Sequence, residues 1–123
     1  MHDDYILGYE VNLLKKDIVI KIGELQRINQ KVVFYDVLTH CFENITDYNI
    51  VFDICEHDIS SFFMENKEKI NVGKNYCWPT YYETNEELLL YLKNNGYKYI
   101  KIESSIGMCG WVLAKSYEIE NIS

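Results

Sequence analysis

The run Lys31-Val32-Val33-Phe34-Tyr35-Asp36-Val37-Leu38-Thr39-His40-Cys41-Phe42 is dominated by β-branched and aromatic residues, which fit a pleated, half-buried surface. It predicts one long strand. Upstream, Tyr5, Leu7, Tyr9, Val11 and Leu13 recur at every second position, the period of a strand with one buried face. Leu14-Lys15-Lys16-Asp17 is a short polar connection to a second alternating run, Ile18, Ile20 and Ile22, so the first two strands are expected to form a hairpin. The polar stretch from Gly23 to Gln30 carries no strong period. Downstream, Asn44 to Asn49 is rich in residues that favour turns by bonding their own backbone. Ile50, Phe52 and Ile54 then alternate with Val51, Asp53 and Cys55, which gives a fourth strand.

The period changes at Asp58, whose carboxylate suits a helix N-cap. Ile59, Phe62, Phe63 and Ile70 form an apolar stripe, and Gly73 ends the predicted helix. A second helix opens on the capping box Thr84-Asn85-Glu86-Glu87, runs through Leu88, Leu89 and Leu92, and closes at Gly96. Tyr97 to Ser104 and Trp111 to Glu120 return to strand composition around a glycine-containing hairpin loop, with Trp111, Leu113, Tyr117 and Ile119 expected on the buried face. The order β-β-β-β-α-α-β-β predicts an α+β fold: a mostly antiparallel sheet of about six strands with two helices packed on one face. Residues 1–123 read as a single domain, since domains cluster at about 100–150 residues.

Composition narrows the function classes. With 48% hydrophobic, 15% aromatic and 25% charged residues, the chain reads as folded rather than disordered. A net charge of −7 opposes approach to phosphate backbones, so no nucleic-acid partner is expected. No apolar run approaches the roughly 20 residues of a membrane-spanning helix. The start, Met1-His2-Asp3-Asp4, lacks the basic and apolar regions of a secretory leader, and a cytoplasmic location with no membrane partner follows as the expectation. Cys41, Cys55, Cys77 and Cys109 contain no CxxC pair, so neither a disulfide framework nor a zinc ribbon is indicated and buried, reduced thiols are expected.

No catalytic motif stands out. Gly107-Met108-Cys109-Gly110 lacks the spacing of dinucleotide and phosphate loops, and no GxSxG elbow occurs. The densest chemical cluster is His40, Glu43, Asp53, Glu56, His57 and Asp58, residue types that bind transition metals. On a continuing strand Asp53, Cys55 and His57 share one face while Glu56 points away, and Asp58 is wanted as a cap, so the ligands scatter. His40 and Cys41 are adjacent and face opposite sides, which disfavours a thiol–imidazole pair; Cys55 with His57 stays open. The expectation is therefore no cofactor and no metal, with a non-catalytic chain favoured and enzymatic activity left open. The alternative is a small metal-dependent enzyme, or a metal- or ligand-binding protein, built on His40, Asp53 and His57.

Charge distribution says more than any single residue. Residues 1–60 carry five basic and eleven acidic side chains, residues 61–123 seven and eight, and no lysine or arginine occurs between Lys31 and Lys67. Such segregation steers a basic protein partner. Asp36, Glu43, Asp47, Asp53, Glu56 and Asp58 are the candidate contacts, with Trp78, Tyr81 and Tyr82 of the aromatic loop as anchors, because aromatics with polar tips concentrate at interfaces. The competing reading folds the loop down over the sheet around Pro79. Trp111, in an alternating strand, reads as core.

Taken whole, the chain resembles small bacterial proteins similar to the immunity proteins of polymorphic toxin systems. The resemblance is carried by Gly8-Tyr9-Glu10-Val11, His40-Cys41-Phe42-Glu43-Asn44, Asn49-Ile50-Val51-Phe52-Asp53-Ile54 and Gly110-Trp111-Val112-Leu113-Ala114-Lys115. It implies a cytoplasmic, non-catalytic binder that neutralises a basic toxin, often by covering its active site. A homodimer formed by edge-to-edge pairing of an exposed first or last strand stays open.

Overall fold

Strand β3 (Arg27–Glu43), 17 residues long, is the spine of the molecule. In the computed structural model, which describes residues 4–122, it follows β1 (Asp4–Asn12) and β2 (Asp17–Glu24) and precedes β4 (Ile50–His57). Helices α1 (Ile59–Glu65), α2 (Lys67–Gly73) and α3 (Asn85–Asn94) come next, with a short 3-10 turn at Lys74–Tyr76, and β5 (Lys98–Ile106) and β6 (Cys109–Asn121) complete the chain. The reading of Met1-His2-Asp3 as no leader falls outside the described residues. Among the described residues no helix is long and apolar enough to cross a membrane.

The expected antiparallel six-stranded sheet is present, and it closes on itself in the order β1-β2-β3-β6-β5-β4. Closure requires β3 to serve two neighbours in turn. Its first half pairs with β2 from Arg27 to Phe34, while β6 runs beside almost its whole length. Asp36 takes a left-handed backbone, φ 53°, and the register slips between Val37 and Thr39; such bulges bend and twist a strand so that a flat sheet can curl. Barrel closure was not part of the sequence expectation.

Curling divides the apolar residues into two cores. Ile18, Ile20, Ile22, Val32, Phe34, Ile100, Ile102 and Val112 fill the barrel. Trp111, Leu113 and Tyr99 point outward from β5 and β6 and meet Phe62, Ile70, Leu88 and Leu92 of the helices. The assignment of Trp111, Leu113, Tyr117 and Ile119 to one buried face is therefore corrected. Trp111 and Leu113 face the helices, Tyr117 packs with the barrel interior, stacked 6.0 Å from Phe34, and Ile119 is exposed. β6 is covered on both sides from Trp111 to Ala114.

Three other expectations are corrected. The single helix from Asp58 is two, broken at Asn66, whose amide donates to the Phe62 carbonyl at 3.0 Å and to the Tyr99 hydroxyl at 3.4 Å. In β1 the buried residue is Ile6 rather than Tyr5 or Leu7, because the register shifts between Ile6 and Gly8. Beyond the shift Tyr9 and Val11 stand opposite Ile20 and Ile18 and share their face, yet both remain exposed because β4 pairs only with Asp4 and Tyr5. In β4, Val51 and Ile54 are buried and Phe52 is exposed, owing to two shifts against β5. The caps follow expectation. Asp58 accepts from Ser60 N at 3.0 Å and Thr84 from Glu87 N at 3.2 Å, while Gly96, φ 74°, ends α3 with paired bonds from Gly96 N and Tyr97 N to Lys93 and Leu92.

Candidate protein-binding face

One end of the barrel is assembled around Asn49, a buried polar residue in the connection between β3 and β4. Its side-chain carbonyl accepts from Met108 N at 2.8 Å and Thr46 N at 3.1 Å, its amide donates to the Thr46 carbonyl at 2.6 Å, and its backbone carbonyl accepts from Ile6 N at 2.9 Å. The side chain thereby fastens the β3–β4 loop to the β5–β6 hairpin, and the backbone of the same residue adds the start of β1. Turn chemistry in Asn44 to Asn49, visible in the sequence, is the local reason the loop folds this way.

The three segments present apolar side chains to solvent. Ile45 is 47% exposed, Tyr48 44% and Ile106 47%. The Tyr5 ring meets Tyr48 edge-on at 5.3 Å, with the hydroxyls 3.2 Å apart, and Ile50 stands opposite Ile106 in register. Leu7, Tyr9, Ile45 and Asp47 line a cleft of about 210 Å³ that continues this surface. Asp47 lines it, and further acidic groups lie on the adjoining strands. Asp47 is exposed in the loop, Glu43 ends β3, Asp4 pairs with Val51, and Asp53 stands directly opposite Glu103. Like charges facing each other across strands oppose folding, so the surface is held together by the packing and hydrogen bonds beneath it.

Of the residues nominated from sequence, Glu43, Asp47 and Asp53 come towards this end, Glu43 with its carboxylate turned to Cys41 at 3.6 Å and Asp53 on β4 opposite Glu103. The others do not. Glu56 lies 3.7 Å from Lys98, and Asp58 is occupied as a cap, its carboxyl held low chiefly by hydrogen bonds from Ser60. Asp36 sits at the β3 bulge near Tyr97. The aromatic loop folds down. Tyr82 is buried and donates to the Ile70 carbonyl at 3.1 Å, and Trp78 is half-buried, its indole N–H donating to Thr39 at 2.9 Å. Tyr82 thus leaves the surface set, and of the three anchors only Tyr81 is well exposed. The sequence reading missed Tyr5, Tyr48 and Ile106, which only strand register brings together.

The His40, Asp53 and His57 grouping is not assembled, because β6 and β5 separate β3 from β4. His40 instead tilts against Phe42 at 5.0 Å and lines an open groove of about 610 Å³ with Lys69, Val72 and Trp78. Burial pushes its imidazole down and the Cys41 thiol up, and Cys41 Sγ meets Glu43 at 3.6 Å rather than His40. A thiol raised in pKa is a poor nucleophile. All four cysteines are free, and none is fully buried, Cys77 being exposed; this corrects their assignment as core thiols. Cys55 and His57 do meet, Sγ to Nε2 at 3.3 Å, and β5 adds Glu103, 3.5 Å from the same nitrogen. Burial, and then Asp53, push the Cys55 thiol up.

The fold and this surface define a six-stranded antiparallel barrel with a three-helix flank and an acidic, aromatic end. No protein-family model, curated protein or solved structure matches the chain.

Proposed function

We propose that this protein is a non-catalytic binding module that captures a basic protein partner at the Asn49 end of the barrel, acting in the cytoplasm as an immunity-type inhibitor of a toxin. The observation that carries this reading is the juxtaposition of half-buried Tyr5 and exposed Tyr48, Ile45 and Ile106 with Asp4, Glu43, Asp47 and Asp53. Interfaces of this kind use aromatic and aliphatic anchors for affinity and surrounding charge for encounter. Three of the six acidic residues nominated from sequence contribute. The raised thiol of Cys41 and the separation of His40 from His57 weigh against a catalytic reading.

The test is capture by the tagged protein from lysate of the cells that carry it, at low and high salt. The triple variant Glu43→Lys, Asp47→Lys, Asp53→Lys serves as control. A small basic protein held at low salt and lost by the variant is the expected result. Recovery of the same partner by the variant would rule out this face.

A further inference from the structure

We infer that the outer face of β4 and β5 binds a divalent cation of the zinc class through Cys55 Sγ, His57 Nε2 and Glu103 Oε1, independently of the partner reading above. Cys55 and His57 lie two apart on β4 and share its outer face, and Glu103 arrives from β5, where it stands opposite Asp53. The three donor atoms lie within 4.8 Å of one another, with Sγ to Nε2 at 3.3 Å and Nε2 to Oε1 at 3.5 Å. Tetrahedral zinc with ordinary bond lengths places sulfur and nitrogen ligands about 3.5 Å apart and nitrogen and oxygen about 3.3 Å apart. Both spacings about Nε2 fit.

Hydrogen bonding accounts for the cluster only through a shared Nε2–H that donates to sulfur and carboxylate together, at 3.3 and 3.5 Å. Thiol and carboxylate both meet Nε2, and one ring nitrogen cannot accept from the thiol and donate to the carboxylate at once. A nucleophilic triad would place them on the two different nitrogens. A cation would take one lone pair from each of the three donors at once. The nearest competing charge is directed away: Lys101, opposite Cys55 in register, is held by Glu65 at 2.7 Å. The His57 ring is braced edge-on against Tyr99 at 6.4 Å. Thiolate, imidazole and carboxylate together suit zinc better than calcium or magnesium, which prefer all-oxygen sites. On binding, the sulfur–metal bond forms as the Cys55 proton passes to solvent, and a water fills the fourth position.

The test uses the reduced full chain and the metal alone. Calorimetric titration with Zn²⁺ should show one ion per chain, and Co²⁺ should give thiolate-to-metal absorption that Cys55→Ser abolishes. Glu103→Gln, which keeps shape and removes charge, should weaken binding at least about tenfold, whereas Cys77→Ser should leave it unchanged. Alkylation with mass-spectrometric readout needs no variant: Zn²⁺ should protect Cys55 and leave Cys77 reactive. Absence of one-to-one binding, thiolate absorption that survives in Cys55→Ser, or Cys55 alkylated equally with and without Zn²⁺ would overturn the inference.

Discussion

Tyr99 joins the helical core to the charged outer face. It is 1% exposed, and its hydroxyl donates to Glu65 at 3.2 Å while accepting from Asn66 at 3.4 Å. Burial chiefly, with the Glu65 charge adding, pushes its phenol from 10.0 up to about 12. The folded state therefore holds the proton more tightly than the unfolded chain, so this contribution is whole below pH 10 and is lost as pH rises towards about 12. Urea midpoints across that range should fall in the wild type and fall less steeply in Tyr99→Phe; equal slopes would contradict the assignment. The same scale shows what a sequence reveals. Cys55 and His57 were legible as an i, i+2 pair on one strand face, but Glu103, 46 positions beyond His57, was not.

At the scale of elements, composition found all six strands and the helix caps, since alternation and capping residues act within a few positions, but it started β3 at Lys31 and missed that Arg27–Gln30 already pairs with β2. The faces were harder to read. One shift in β1 and two in β4 moved Leu7 and Phe52 to the surface, because side chains alternate every residue and one extra residue reverses them. Asn66 broke a helix that its apolar stripe supported by bonding Phe62 and Tyr99 instead. The β3–β6 pairing rests on a similarly hidden contact. Gly110 has φ 150°, and a Cβ there would lie 1.9 Å from the Cys41 carbonyl oxygen, a backbone atom that cannot step aside. Gly110→Ala should cost roughly 2 kcal/mol or more, read as a lower urea midpoint with an unchanged slope. A change below a few tenths would show that β6 can shift at that point.

The whole molecule is a barrel whose seam is short, β1 meeting β4 only through Asp4 and Tyr5. Closure joins residues nearly 50 positions apart and was invisible to local patterning, which described the sheet without its curl. That closure gathers Asp4, Tyr5, Tyr48 and Ile106 beside Glu43, Asp47 and Asp53, converting a charge-segregated sequence into one surface. The remaining nominated acids lie elsewhere, so the sequence identified the sign of the surface better than its extent. Beyond Tyr5 the edge of β1 has no β4 partner. The central claim, recognition of a basic partner at this end, is tested most directly by the association rate of the purified protein with its captured partner as ionic strength is raised. The account predicts a rate that drops steeply with salt for the wild type, and a slower, nearly salt-independent rate for the Glu43→Lys, Asp47→Lys, Asp53→Lys variant. Equal rates and equal salt dependence for the two proteins would contradict it.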